Sequence, residues 1–282
     1  MLFNKGFILF LKGMAMGISD LIPGISGGTI ALLLGIYKDF IKSLKSINYN
    51  SFLFLIRLDF KKLNDQLNFN FLIPVFFGIL SSIFIFSSLI SFLLSDYKVS
   101  LFSFFFGLIF FSSFRLISSI KPNSILDFVT IFIGLIIGLS FFFITSLSIS
   151  NSPFAIFLSG FIAISAMLLP GISGSYILLI LGKYEFMLDS ISSLNWINIL
   201  VFSIGAVGGI LSFSKMIYFL LNNYYRTTLF FLSGLMMGAL NKVWPWQANN
   251  EIMLPHGDTF DIAISFIVFI FSGVVSYYLK SK

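Results

Sequence analysis

The segment from Leu21 to Tyr37, LIPGISGGTIALLLGIY, returns at Leu168 to Tyr184 as LLPGISGSYILLILGKY. At an offset of 147, 11 of the 17 positions are identical, far more than shared composition would give. Each copy interrupts an apolar run. In the first, the arm before the break, Gly6 to Ser19, has 14 residues, about 21 Å as a helix. The arm after it, Thr29 to Phe40, has 12 residues, about 18 Å. Neither crosses the roughly 30 Å of bilayer hydrocarbon alone. Pro23 lacks an N–H, and Gly24, Gly27 and Gly28 free the backbone. The pattern predicts a re-entrant hairpin: helix in, unwound turn at mid-depth, helix out. Irregular backbone at that depth is tolerated only against protein or a wet cavity.

The rest of the chain says what surrounds these hairpins. It is 58% hydrophobic with a mean hydropathy of +1.02, and only 10% of its 282 residues are charged, which marks an all-α polytopic membrane protein. The 39 phenylalanines read as lipid-facing bulk. The first half offers apolar stretches at 6–41, 71–94, 101–119 and 126–147; the second offers 154–190, 196–221, 227–243 and 260–279. The 227–243 stretch is marginal in length. Weaker echoes follow the motif in order: GILS at 78 and 209, then GL at 107 and 234. The last offset, 127, pairs Arg115 with Lys242. One internal duplication follows, with halves 1–147 and 148–282, the first carrying an insert at 42–70. Each half then holds a re-entrant hairpin and about three transmembrane helices. That is an odd number of crossings, so the second half is expected to be inverted relative to the first.

Charge agrees with that topology. With the N-terminus inside, 14 of the 17 basic residues are cytoplasmic, among them Lys12, Lys38, Arg115, Lys280 and Lys282; only Lys98, Lys183 and Lys242 face out. Both termini are then cytoplasmic, in the bacterial inner membrane. Lys12 interrupts the first apolar run and no small-x-small cleavage site follows, so the N-terminal segment reads as retained. The insert, rich in basic and aromatic residues, fits either an amphipathic helix on the inner leaflet or a plain loop. The net charge of +6 is a matter of topology, not of nucleic-acid binding. There is no cysteine, and the one histidine, His256, lies in a polar stretch, so neither a thiolate metal site nor a histidine-based catalytic centre is indicated. No metal and no resident cofactor is expected.

The two turns are the candidate site. Helices restart near Gly28–Thr29 and near Ser175–Tyr176, and the first N–H groups of a helix lack internal partners and carry partial positive charge. Ser26, Thr29, Ser173 and Ser175 add hydroxyls, while Pro23, Gly24, Gly27, Gly28, Pro170, Gly171 and Gly174 keep the backbone approachable. Such a site suits a phosphate or a carboxylate. The plainer alternative is that glycine and proline only kink the helices and let them pack closely. Asp20 is the only acidic residue beside either motif, with Met167 at the matching position. It is a candidate for coupling to a proton or sodium gradient, for holding Arg115, or for capping the turn. Arg115 and Lys242 are candidates for neutralising an anionic head group from either side, or for ordinary snorkelling. Discontinuous helices at the interface of inverted repeats are a transporter plan. The ligand is a lipid phosphate or, alternatively, a small soluble anion. An intramembrane enzyme is disfavoured, having neither a histidine beside a nucleophile nor paired carboxylates.

The pattern GMAMGISDLIPGISGGTIALLLGIY, with the second LLPGISGSYILLILGKY, resembles the bacterial polyprenyl-phosphate transporter family, first grouped as a membrane domain of unknown function. The likeness covers essentially the whole chain. It implies translocation of undecaprenyl phosphate, the lipid carrier of cell-wall synthesis, back to the cytoplasmic leaflet. The family's turns fall on Asp20 to Thr29 and Pro170 to Ser175. The second copy departs from the first in having Ser-Tyr for Gly-Thr and no acidic residue. Oligomeric state is left open, a homo-oligomer included.

Overall fold

The computed structural model describes residues 2–144, 147, 149–248 and 251–279. Lys280 and Lys282, counted above as cytoplasmic charges, lie outside them. Fourteen α-helices run through the described residues. The first hairpin region gives α1 (Leu2–Asp20), α2 (Gly27–Leu33) and α3 (Tyr37–Lys45), and the insert gives α4 (Tyr49–Ile56) and α5 (Phe60–Leu67). Three long helices follow: α6 (Phe69–Asp96), α7 (Lys98–Ile120) and α8 (Ile125–Phe143). The order then recurs as α9 (Pro153–Met167), α10 (Gly174–Ile180), α11 (Tyr184–Ser192), α12 (Trp196–Asn223), α13 (Tyr225–Ala239) and α14 (Thr259–Tyr278). Lengths recur as well: α2 and α10 have 7 residues, α3 and α11 have 9, and α6 and α12 have 28.

Five helices, α6, α7, α8, α12 and α14, are long and apolar enough to cross a membrane, and the chain is a multi-pass membrane protein. The marginal 227–243 stretch stops as an α-helix at Ala239, after 15 residues, and continues through a 3-10 turn, Leu240–Val243. The tighter turn rises about 2 Å per residue, so the two pieces together reach about 30 Å. Large side chains on the outward faces, such as Phe77, Phe84, Phe132, Ile204 and Ile270, are exposed, as lipid-facing surface should be.

Two expectations need correction. The arm expected as one helix from Thr29 to Phe40 is two helices, because Gly35 takes a left-handed conformation (φ +71°). Its N–H donates to the Leu32 carbonyl at 3.1 Å and that of Ile36 to Ala31 at 3.0 Å, the paired bonds of a glycine-terminated helix. Gly182 (φ +63°) ends α10 the same way, with Gly182 donating to Leu179 and Lys183 to Leu178. The insert is neither one amphipathic helix nor a loop but two short helices with a turn at Leu58 (φ +53°). Asn48 and Asp59 cap their N-termini, and the Lys62 ammonium beside Asp59 holds that carboxyl below its ordinary pKa. The polar stretch after Trp246 adds a two-stranded antiparallel ribbon, Gln247 opposite Ile252, to an otherwise helical chain.

Helices pair through glycine. α1 lies along α6, where a methyl added at Gly13 would strike the Val75 carbonyl and one at Gly78 the Phe10 carbonyl. The corresponding pair, α9 on α12, is built alike, with Gly160 against Phe202 and Gly205 against Phe157. The other two major pairings join residues of opposite halves of the sequence: α8 lies on α13, and α14 on α7. The core gathers where the two turns meet α13, around Ile25, Ala31, Ile172, Leu235 and Met236.

These contacts make the glycines testable. Gly78→Ala is expected to lower the melting temperature in detergent micelles, at a cost of about 1–3 kcal/mol for the forced separation of α1 and α6. Gly6→Ala, where nothing lies within 4 Å, is expected to be neutral or to gain up to about 1 kcal/mol in helix propensity. Equal melting temperatures for the two variants would contradict the close packing.

Candidate functional site

The two motif turns touch. Gly24 and Gly171 both sit at positive φ, +87° and +91°, where a side chain would be strained, and each lets its chain reverse into the next short helix. Across the contact, the Gly171 N–H donates to Thr29 Oγ1 at 2.8 Å. The Tyr37 hydroxyl donates to the Leu168 carbonyl at 2.9 Å, and Ser26 Oγ to the Met167 carbonyl at 3.3 Å. Gly28 lies against the same strand of backbone: a methyl there would be 3.1 Å from the Met167 oxygen. Three polar side chains of the first copy thus satisfy backbone groups of the second, in a region where Ser26, Thr29 and Tyr37 are all buried.

The helix start that was expected to be open to an anion is closed in the first copy. Asp20 Oδ1 accepts from the Gly27 N–H at 2.6 Å, and Ser26 Oγ accepts from the Gly28 N–H at 3.1 Å. A carboxylate of the chain itself therefore occupies the positive end of α2, so Asp20 caps the turn. An added methyl at Gly27 would collide with that carboxylate, which explains the small residue there. The second copy is different. Met167 replaces Asp20, no side chain caps α10, and Ser173 Oγ pairs with Ser175 Oγ at 2.8 Å instead. Pro170, Gly171, Ser173 and Gly174 are buried, while Ser175 is exposed.

Two cavities flank this contact. The larger, about 870 Å³, is lined by Pro23 and Gly24 of the first turn, by Lys98, Tyr176 and Lys242, and by apolar residues including Phe102 and Phe143. The smaller, about 300 Å³, is lined by Gly35, Tyr37, Lys38, Arg115, Tyr225 and neighbouring leucines. The linings correspond by the repeat. Leu179 and Ile180 match Leu32 and Leu33 at an offset of 147, and Leu94 and Lys242 match Leu221 and Arg115 at 127. The Lys242 ammonium sits over the Tyr176 ring and 5.5 Å from that of Phe141. Arg115 stacks 4.9 Å from the Tyr277 ring, and its Nη1 donates to the carbonyls of Ser276 and Tyr277 at 2.8 and 2.7 Å. It caps the end of α14 as well as facing the cavity, and Asp20 does not reach it; that carboxylate bonds Gly27.

The candidate residues therefore separate into two sets. Pro23, Gly24, Lys242 and Arg115 line the cavities; Ser26, Gly27, Gly28, Thr29 and Gly171 line neither and are buried where the two turns meet. Lys38 and Lys98 also face the cavities, and sequence reading used them only to set topology. Two further lysines counted for topology hold backbone. Lys12 Nζ donates to the Leu34 carbonyl at 2.7 Å, closing the C-terminal end of α2. Buried Lys183 donates to the carbonyls of Ile149 and Ser150 and to Asn151. Arg226 in α13 pairs with Asp127 of α8 at 2.9 Å, locking those helices together. Among the described residues no group of three potential metal ligands occurs, and His256 is exposed, with Nδ1 3.0 Å from the Leu254 carbonyl.

Two transporters resemble this chain over most of its length. A polyprenyl-phosphate transporter of Vibrio cholerae is 39% identical over 84% of this chain and 77% of its own length. A polyprenyl-phosphate transporter of Staphylococcus aureus is 33% identical over 96% of this chain and 94% of its own. No solved structure matches the chain. Residues 16–260, which include both turns, Arg115, Lys242 and four of the five long apolar helices, reaching only the first two residues of α14, match a single family model, and the chain belongs to the undecaprenyl phosphate translocase-like family.

Proposed function

We propose that this chain carries undecaprenyl phosphate between the leaflets of the bacterial cytoplasmic membrane and returns its head group to the inner leaflet. The observation that carries the reading is the pair of matched cavities, each holding a duplicated cation, on either side of the interlocked turns. The recurring helix order, the recurring lengths and the exchange of α8 and α14 between halves support an inverted duplication divided into 1–147 and 148–282. With the N-terminus inside, the Arg115 cavity faces the cytoplasm and the Lys242 cavity faces out. The head group enters one cavity, and movement of the turns past each other transfers it to the other. A small soluble anion is the competing cargo. The apolar walls, Leu94, Phe102 and Phe143 in one cavity and Leu116, Leu221 and Leu229 in the other, favour a lipid, whose tail needs such surface.

Leaflet exchange in proteoliposomes tests the reading, with an impermeant phosphatase attacking only outward-facing head groups. The wild-type protein is expected to expose the inner pool, and Lys242→Ala to slow this at least about tenfold, the scale of one lost charge-assisted bond. An inner pool that stays protected, with folded protein and ion gradients of both directions imposed, would overturn the assignment.

Asp20 is the proposed coupling site, for a proton or for sodium. Asparagine keeps an oxygen for the Gly27 N–H but removes the charge; alanine removes both. Asp20→Asn is accordingly expected to melt near wild type and to lose the response of exchange to an imposed gradient. Asp20→Ala is expected to lose about 1–3 kcal/mol of stability through the stranded N–H. A gradient response unchanged in Asp20→Asn would remove Asp20 from coupling.

A further inference from the structure

Both cavities hold a second cation that the duplication does not supply. Lys242 and Arg115 correspond at an offset of 127. Lys98, which shares the cavity of Lys242, corresponds at the same offset to Tyr225; Lys38, which shares the cavity of Arg115, corresponds at 147 to Glu185. Each cavity has thus acquired its second positive charge from a different element, α7 in one case and α3 in the other.

Among the described residues none of these four cations forms a salt bridge, and no aspartate or glutamate lines either cavity; the ion pairs, Lys62 with Asp59 and Arg226 with Asp127, lie elsewhere. The cations rest on aromatic faces: Lys98 is 5.9 Å from the Phe102 ring, Lys38 is 5.5 Å from that of Tyr225, and Arg115 and Lys242 lie over Tyr277 and Tyr176. Aromatic faces hold a cation without neutralising it, leaving its charge for a ligand. Lys98 and Lys38 are exposed, whereas Lys242 and Arg115 are half-buried, so each cavity has an outer and an inner positive group.

Two uncompensated cations match one class of ligand. A phosphate monoester carries about −1.5 to −2 near neutral pH and presents three terminal oxygens. A phosphodiester, the head-group linkage of bulk anionic lipid, carries a single charge on two. We propose that Lys98 and Lys38 are specificity residues, each completing a two-cation cradle that selects a phosphate monoester over the phosphodiesters that vastly outnumber it in the membrane. The inference rests on the lipid-phosphate reading for its cargo, and adds how that cargo is distinguished.

The test uses the full chain in proteoliposomes, with exchange of undecaprenyl phosphate read by impermeant phosphatase and that of fluorescent phosphatidylglycerol by an impermeant quencher. The ratio of the two rates is the readout. Lys98→Gln and Lys38→Gln are each expected to lower it about tenfold, chiefly through the monoester rate. Lys98→Arg is expected to restore it, which a merely structural lysine would not require. Lys61→Gln, an exposed lysine of α5 outside both cavities, is expected to leave it unchanged. A wild-type ratio in both glutamine variants would overturn the cradle while leaving the transport reading intact. Failure of the wild-type protein to exchange undecaprenyl phosphate would sink that reading instead. In that event, Lys98-dependent release of inorganic phosphate from loaded vesicles would keep the cradle and change its source, and lysine-independent release or none would remove it.

Discussion

The hydrogen bond from the Gly171 N–H to Thr29 Oγ1, with its two companions, joins the two motif turns inside the hydrophobic core. Both turns leave backbone polar groups that their own helices do not pair, and such groups need partners once buried away from water. A buried N–H left without an acceptor costs about 1–3 kcal/mol. The turns satisfy each other: hydroxyls of Ser26, Thr29 and Tyr37 reach across to Met167, Leu168 and Gly171. Neither turn has that complement alone, so each depends on the other for its buried hydrogen bonds.

The two copies have diverged in what they do with the same positions. Thr29 answers the opposite turn, whereas its counterpart Tyr176 turns outward, donates to the Phe141 carbonyl at 2.7 Å and lies beneath the Lys242 ammonium. Asp20 and Ser26 close the start of α2, whereas Met167 and Ser173 leave α10 uncapped. The first turn is thus the more firmly built, and its tip, Pro23 and Gly24, opens to the larger cavity; the tip of the second is packed against α13, where Gly171 approaches Met236 and Ala239. Repeated motifs make a division of labour possible because only one copy is needed to hold the joint.

Much of this was legible in the residues. The repeat located both turns, the length of the apolar stretches located the long helices, and the offset of 127 paired Arg115 with Lys242. The short break after each turn was also written there, in Gly35 and Gly182, but around Gly35 apolar residues on both sides disguised it as a continuous helix. Lysine was the least transparent residue type. A count of charges cannot separate Lys12, which closes a helix end, or Lys183, which is buried among carbonyls, from Lys38 and Lys98, which face cavities. Nor does any local pattern show that Thr29 meets Gly171, since that contact spans 142 residues and exists only once the helices are packed.

In the proposed cycle the interlocked turns separate two cavities that open on opposite membrane faces. The chain contains no cysteine, so single cysteines can be placed cleanly. Lys98→Cys and Lys38→Cys, one at the mouth of each cavity, would be labelled in intact spheroplasts and in inverted vesicles with a membrane-impermeant maleimide. Lys98→Cys is expected to react only from outside and Lys38→Cys only from the cytoplasmic side. Reaction of both from the same side would contradict it.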